Sequence, residues 1–249
     1  MVQRVFKSKN DIKLYNLTKK GFVKDYWLKQ FLKKDCFITK NPENIKFLSR
    51  FKNTFIYLNL KKRLPSTKLD KKKICYLGKN IFFFKKIEKN IYYDKKNLIN
   101  YKIKKNKLER KKIINIAYKN FRYSRFHLDD RISKKISNLI KKKWVENFYK
   151  GKRGDKLIAQ FYKKKITGFC LIKYNHKSSA TIDLICLDKK YFNRGLGKDL
   201  VSYTLFKLKH LKKSNLTVGT QDTNSASMNL YNSLGFKKKS VSNLYHFIS

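Results

Sequence analysis

Cysteine and long apolar segments are scarce in this sequence. The cysteines stand at positions 36, 75, 170 and 186, and they show none of the close pairings that hold zinc. We therefore expect neither a metal site nor a disulfide framework. No apolar run reaches the roughly 18 residues that a membrane span needs, and lysine and asparagine interrupt the N-terminal residues where a signal peptide would lie. The sequence thus predicts a cytoplasmic protein without membrane insertion.

Carboxylates are also few. Asp and Glu number 16 against 63 Lys and Arg, which leaves a formal net charge of +47. Clustered basic residues would indicate a nucleic-acid-binding protein, because they displace counterions from phosphates. Here the lysines are spread along the whole chain, alanine is nearly absent, and the abundant residues are those that an AT-rich genome encodes. We therefore favour coding bias over nucleic-acid binding, although such a charge would still attract anionic ligands.

The remaining composition is that of a folded protein, because 41% of the residues are hydrophobic and 15% are aromatic. Residues 1–105 have a mixed and irregular pattern, which predicts a smaller N-terminal α/β region. Within it, Trp27–Lys33 and Asn44–Phe51 have the spacing of helices. The almost wholly polar segment Lys102–Lys112 is the predicted linker, so that a second domain covers residues 106–249.

The pattern beyond residue 113 predicts an α+β fold with a central, mostly antiparallel sheet. In order, the predicted elements are a helix from Ile113, a helix ending near Tyr149, strands Lys156–Tyr162, Ile166–Tyr174 and Ala180–Leu187, a helix from Gly197 to Leu211, a strand Leu216–Thr220, a helix Asn224–Leu234 and a last strand ending at Ile248. Asp129 or Asp130 can cap the second helix. This order is not doubly wound, so we expect one strand to splay from its neighbour at a ligand site.

The strand Ala180–Leu187 leads into a turn with two glycines, at which a helical pattern begins. Glycine lets the backbone approach an anion closely, and the unbonded N–H groups at a helix start point toward it. The turn therefore predicts a pyrophosphate site, formed by the backbone N–H groups of Gly195, Gly197 and Lys198. Arg194 would add positive charge nearby. An ordinary tight turn is the alternative interpretation.

The segment Ala180–Ile248 resembles the GNAT family of N-acetyltransferases. That family has a strand, a turn ending in G-x-G, a helix, and a later helix with the pattern N-x-x-A-x-x-x-Y-x-x-x-G-F. The corresponding positions here are Asn224, Ser227, Tyr231, Gly235 and Phe236. Ser227 replaces the family's alanine with another small residue. The turn departs from the family at Lys189, Phe192 and Asn193, but contacts made by the backbone do not need those side chains.

The resemblance implies an enzyme that moves the acetyl group of acetyl-CoA to a primary amine. The pantetheine amides would pair with the backbone of Leu184–Leu187 at the splay, and Asn224 would contact the cofactor or a bound water. Tyr231 would also lie at the cofactor and protonate the departing thiolate. Asp183 could accept the amine proton through water. The structural alternatives are helix packing for Tyr231, an N-cap for Asn224 and a buried structural carboxylate for Asp183.

A narrower resemblance concerns the dTDP-fucosamine acetyltransferase subfamily, and its residues are Ser124-Arg125-Phe126-His127 and Trp144-Val145-Glu146-Asn147. It implies a small-molecule acceptor, a nucleotide-activated amino-deoxysugar of cell-envelope polysaccharide biosynthesis, with Arg125 and His127 lining its binding site. A solvated turn is the alternative for these two residues, and core packing is the alternative for Trp144. The N-terminal region would be a divergent GNAT-like half, and a homodimer is left open. Acetylation of protein N-termini or other small amines also stays open, because GNAT motifs indicate the donor better than the acceptor.

Overall fold

The computed structural model describes residues 21–65, 73–94, 99–102, 107–175 and 178–249. Over these residues the chain divides into two compact units. The first comprises the described residues up to Lys79 together with Ser242–Ser249, and the second runs from Asn80 to Val241. The domain boundary expected at residue 105 falls within 103–106, outside the described residues, and it stays a prediction.

The first unit contains strands β1 (Phe22–Lys24), β2 (Asp35–Thr39) and β3 (Thr54–Leu60), the start of β4 (Ile74–Lys86), the end of β10 (Lys237–Ile248), helix α1 (Tyr26–Leu32) and a 3-10 helix (Pro42–Arg50). Its strand order is β1-β2-β3-β10-β4. The β2–β3 pair is parallel, and β1–β2 and β3–β10 are antiparallel. The two segments with helical spacing are therefore both helical, although the second is a 3-10 helix.

The second unit contains strands β5 (Ile99–Lys102), β6 (Lys156–Tyr162), β7 (Lys165–Asn175), β8 (Ser179–Leu187) and β9 (Asn215–Gln221), and helices α2 (Lys107–Asn120), α3 (Lys134–Tyr149), α4 (Leu196–His210) and α5 (Ser225–Ser233). Its strand order is β4-β9-β8-β7-β6-β5. Only β8–β9 is parallel among the pairs between its described strands. The predicted α+β fold with a mostly antiparallel sheet is confirmed.

Each face of this second sheet is covered by an apolar cluster. On one face, Leu200 and Leu205 of α4 and Tyr231 of α5 pack with strand residues. On the other face, Ile116 of α2 and Val145 of α3 do the same. Burial of these side chains supplies the main favourable contribution to folding, at about 25 cal/mol per Å² of apolar surface.

Two local predictions are wrong. Helix α2 begins at Lys107, so the predicted linker is helical from there on. Ile113, Ile116 and Ala117 anchor the helix in the apolar cluster, and the Lys, Leu, Glu and Arg residues before them have high helix propensity. The N-cap of α3 is Ser133, whose hydroxyl oxygen accepts from the Ile136 amide at 3.3 Å.

Neither predicted cap, Asp129 or Asp130, is the N-cap, and Asp129 is instead buried and bonded to the Arg131 guanidinium at 2.9 Å. No helix in the described parts of the chain is both long and apolar enough to cross a bilayer.

Candidate active site

Strands β8 and β9 separate halfway along their length. They pair in parallel from Ser179, opposite Asn215, to Ile182, opposite Val218. Beyond that point β8 continues to Leu187, still paired with β7 on its other side. Strand β9 likewise continues to Gln221, paired with β4. The β8 edge that faces β9 therefore presents unpaired backbone groups over its last residues, as the predicted splay requires.

A β-bulge at Asp183 lies at the point of separation. On β7, Leu171 pairs with Leu184 and the next residue, Ile172, pairs with Ile182, so that Asp183 is the extra residue of β8. A bulge bends its strand and increases the local twist, which turns the end of β8 away from β9. The bulge thus accounts for the position of the splay.

The start of α4 meets the end of β8. The amides of Leu196, Gly197 and Lys198 precede the first α4 hydrogen bond, from the Asp199 amide to the Gly195 carbonyl at 3.1 Å. A Cβ added to Gly197 would lie 3.5 Å from a methyl carbon of Leu187 and 3.6 Å from one of Leu230 on α5. The splayed strand, the start of α4 and the second half of the GNAT-like helix α5 therefore converge.

The turn before α4 is open. Gly195 has φ of +72°, a left-handed conformation that favours glycine, and a Cβ added there would find nothing within 4 Å. Arg194 and Lys198 are both exposed, and the Arg194 guanidinium lies 5.7 Å from the Tyr191 ring centroid. Free amides, positive charge and open space at one helix start fit a bound pyrophosphate.

Tyr231 lies in the core of the α4–α5 face. Its side chain is 2% exposed and its ring packs against Phe83 at 5.6 Å and Phe236 at 5.5 Å between centroids. Burial raises the pKa of the phenol above its usual range, so that it stays protonated at neutral pH. Within the described residues, the phenol oxygen has no hydrogen-bond partner. Tyr231 therefore packs its helix against the sheet and still keeps a proton to donate.

Asn224 is the N-cap of α5. Its side-chain oxygen accepts from the Ser227 amide at 3.2 Å, as the capping interpretation expects. The side-chain NH₂ is not used by this bond. Its predicted contact with the cofactor stays a prediction.

Asp183 is held by a hydrogen-bonded ion pair. The carboxylate is 13% exposed and accepts from Arg153 Nε at 2.7 Å, from Arg153 Nη2 at 2.8 Å and from Trp144 Nε1 at 2.8 Å. The Arg153 guanidinium also lies 3.7 Å from the Trp144 ring centroid. These contacts favour the structural alternative for Asp183, and its role as a base stays a prediction.

Arg125 and His127 lie in the loop between α2 and α3. The Arg125 guanidinium stacks on Phe126 at 4.6 Å from the ring centroid. His127 is bonded through both ring nitrogens, because Nε2 donates to the Asn138 side-chain oxygen at 2.9 Å and Nδ1 lies 2.6 Å from the Ser124 hydroxyl. Burial lowers the pKa of this imidazole. These bonds orient the loop, and direct contact of His127 with an acceptor stays a prediction.

Sequence reasoning missed Lys141 and Arg153. Lys141 is 7% exposed on α3, and burial lowers its pKa to about 7. Its position, four residues after Ser137 and four before Val145, places it on the buried side of α3. That spacing was a usable signal. Arg153 offered none, because its partner lies 30 residues away in the chain.

A polar group supports the start of α4 from within. Asp199, in the first turn, is 5% exposed and accepts hydrogen bonds from Tyr93, Tyr101 and Gln160. Gln160 also donates to the Leu196 carbonyl at 3.0 Å. This network fixes the first turn of α4.

Other candidate sites are less informative. A cleft of about 450 Å³ between α2 and α3 is lined by Lys111, Ile114, Asn115, Tyr118, Lys142 and Glu146. None of these side chains is among the predicted site residues. In the described ranges, no three His, Cys, Asp or Glu side chains are grouped to hold a metal ion.

Comparison with known proteins agrees with this geometry. Residues 119–236 match the model of the acetyltransferase (GNAT) family. No curated protein matches the chain in sequence.

Solved structures share the fold at low identity. A functionally unknown conserved protein from Staphylococcus epidermidis has a TM-score of 0.64 at 9% identity, with 86% of this chain and 85% of that one covered. A GCN5-related N-acetyltransferase from Kribbella flavida has a TM-score of 0.56 at 9% identity, with 94% and 92% covered. A tandem GNAT protein from the clavulanic acid biosynthesis pathway has a TM-score of 0.55 at 8% identity, with 83% and 67% covered.

The family match spans the loop of Arg125, helix α3, the splayed strands, the glycine turn and the helix of Tyr231. Residues 119–236, just under half of the chain, are thus similar to the GNAT acetyltransferase domain, and this similarity supports an acetyl-CoA-dependent acyltransferase.

Proposed function

We propose that acetyl-CoA lies in the splay between β8 and β9, with its pyrophosphate on the first-turn amides of α4 and its pantetheine along Leu184–Leu187. The observation that carries this proposal is the coincidence of the β8–β9 gap with the open helix start at Gly195. Gly197 lies beside the end of β8, where an added Cβ would be 3.5 Å from a methyl carbon of Leu187. Exposed Arg194 and Lys198 add positive charge without being essential contacts.

The reaction is transfer of the acetyl group to a primary amine. The acceptor nitrogen adds to the thioester carbonyl, the C–S bond breaks, and the coenzyme A thiolate takes the phenol proton of Tyr231. A buried phenol with a raised pKa is protonated at neutral pH and can serve as this acid. The amine proton leaves through water, for which Asp183 is the predicted acceptor. Asn224 binds the cofactor or a bound water through its side-chain NH₂.

The acceptor is proposed to be a nucleotide-activated amino-deoxysugar. The supporting features are the Ser124-Arg125-Phe126-His127 segment, with the half-buried Arg125, and Trp144, whose indole reaches the bulge residue Asp183. Turnover of acetyl-CoA should be compared between amino-sugar nucleotides and peptides with free N-termini. Turnover on the peptides alone would reject the amino-sugar acceptor and leave the donor site intact.

The first unit is proposed to be a divergent GNAT-like half without a second donor site. It has a parallel pair, β2–β3, connected through a helix, which is the arrangement of β8–β9 in the second unit. Its parallel pairing runs through all of β2, from Asp35 to Thr39, without a gap. The fold similarity to a tandem GNAT protein supports the proposal that the first unit is a GNAT-like half.

Two glycine substitutions test the donor site. Gly195 and Gly151 both have φ of +72°, and a Cβ on either would find nothing within 4 Å. Alanine therefore introduces the same backbone strain at both positions. We expect Gly195→Ala to weaken acetyl-CoA binding at least tenfold in calorimetry, because the methyl group occupies the pyrophosphate site, and Gly151→Ala to leave it unchanged. Equal affinities for the two variants would remove the pyrophosphate assignment.

A further inference from the structure

The Lys141 ammonium is buried between aromatic rings. Its nitrogen lies 4.5 Å from the Trp144 ring centroid and 4.9 Å from the Phe121 ring centroid. Among the residues that the structure describes, no acceptor lies within hydrogen-bond or ion-pair distance of this nitrogen. Aromatic faces attract a cation but do not replace the hydrogen bonds that an ammonium makes in water.

Positive charge exceeds negative charge around Lys141. The groups that face it are Arg125 and His127 from the α2–α3 loop, Arg153 from the turn after α3, and Asp183 and Cys186 from β8. The two guanidinium groups lower the pKa of Lys141, and Asp183 opposes them. The Asp183 carboxylate is already bonded to Arg153 and Trp144. Burial keeps the His127 imidazole largely neutral. Of the described groups that act on Lys141, one carboxylate therefore opposes two guanidinium groups.

We propose that Lys141, together with Arg125, binds a phosphate group of the amine acceptor. This inference rests on the proposed function, of which it specifies the acceptor. A phosphate dianion supplies the acceptor oxygens that the ammonium lacks and offsets the excess of positive charge. A cationic acceptor, such as a lysine-rich peptide, would be repelled by the same cluster.

The cluster borders the donor site through β8. Trp144 lies one helical turn after Lys141, and its indole donates to Asp183, the bulge residue at which β8 leaves β9. The side chain of Cys186, also close to Lys141, projects from the splayed end of β8. A ligand held by Lys141 therefore lies beside the strand that carries the donor.

Calorimetry with inorganic pyrophosphate tests the proposal. The protein is first saturated with coenzyme A so that the donor site is filled. The titration is done at 0.15 M salt to suppress the diffuse attraction of the anion to the basic protein surface. Loss of a buried charged donor is expected to weaken pyrophosphate binding about 10- to 100-fold in Lys141→Met. Lys142→Met is the matched control, because Lys142 is the next residue of α3, is 40% exposed and lies 3.8 Å from Glu146. It should bind pyrophosphate as the wild type does.

A second measurement uses the wild-type protein alone, with sulfate, whose charge is constant near neutrality. Binding an anion favours the protonated lysine, whose pKa in the free protein is about 7. Sulfate affinity should therefore fall at least tenfold between pH 7 and pH 9. His127 does not contribute in this range, because its pKa is lowered from an already smaller value.

Equal pyrophosphate affinities for the wild type and Lys141→Met, or a sulfate affinity that does not change with pH, would overturn the proposal. Failure of the donor site is recognised separately, because the protein would then not bind coenzyme A in the first titration. If coenzyme A binds and the anions do not, the donor assignment stands and the phosphate subsite is rejected.

Discussion

Replacing Asp183 with asparagine should destabilise the folded protein by about 3 kcal/mol. The carboxylate is 13% exposed and accepts two bonds from Arg153, at 2.7 and 2.8 Å, and one from Trp144 at 2.8 Å. Asparagine keeps one of the two oxygens, and its NH₂ group replaces the other oxygen, where it faces an N–H donor of Arg153 or Trp144 and cannot accept from it. The change therefore removes one arm of a bidentate pair together with its charge.

The magnitude follows from burial. Breaking one partner of a buried ion pair costs about 3–5 kcal/mol, because the other charge is left without compensation. Asp183 is 13% exposed and Arg153 is 32% exposed, so solvent compensates part of the charge that is left, which places the effect at the lower end of that range. Among the described residues, its loss also removes the carboxylate that faces Arg153 and Lys141. It should lower the pKa of Lys141 further, since Asp183 is the larger of the two groups that raise that pKa.

Chemical denaturation followed by fluorescence measures this effect. Asp35→Asn is the control, because Asp35 is 47% exposed and pairs with Lys29 at 2.9 Å, an exposed pair whose loss should cost much less stability than the loss of the Asp183 pair. The double variant Asp183→Asn with Arg153→Gln should be less destabilised than the sum of its single variants, by about 2 kcal/mol. Additive costs, or equal costs for Asp183→Asn and the control, would refute the reasoning.

Three further predictions concern the donor site. Tyr231→Phe should lower turnover about 100-fold or more while acetyl-CoA affinity is kept, because the substitution removes the phenol hydroxyl and keeps the packed ring. Steady-state rates measure the turnover and calorimetry measures the affinity. Turnover at the wild-type level would reject the role of Tyr231 as the acid. The raised pKa of Tyr231 also means that its protonated form is lost only at strongly alkaline pH, so ionisation of this phenol should not reduce turnover between pH 7 and pH 9. Calorimetry should find one acetyl-CoA per chain, since the β2–β3 pair has no gap; a second equivalent would contradict the proposal for the first unit.

The structural elements of the proposed donor site could be predicted from sequence because their determinants are local. The glycine turn, the start of α4 and the pattern on α5 lie within about fifty residues, and each depends on neighbours in the chain. The α+β order and the splay followed from the same segment. Boundaries set by packing were harder to predict. At α2 the charged residues before Ile113 have high helix propensity, but the core contacts of Ile116 are what stabilise the helix, and these contacts depend on the fold.

The acceptor side could not be predicted in this way. The bond from Arg153 to Asp183 spans 30 residues, and that from Trp144 spans 39. Neither composition nor residue spacing indicates which residues so far apart in the chain will be hydrogen-bonded. The buried position of Lys141 was readable from its helical spacing, and burial is the main cause of its lowered pKa. The additional lowering by Arg125 and Arg153 arises only because the fold brings these residues close.

The bulge in β8 links the two sides of the site. Before it, Ala180 and Ile182 belong to the cluster under α4 and α5; after it, Leu184 and Cys186 belong to the cluster under α2 and α3. An unbroken strand would keep all four on one face, because side chains alternate with a period of two. The extra residue therefore reverses the faces as well as opening the splay. Asp183 is the single charged residue between Ile182 and Leu187. A carboxylate in an otherwise apolar run was therefore the sequence signal that indicated the position of the bulge.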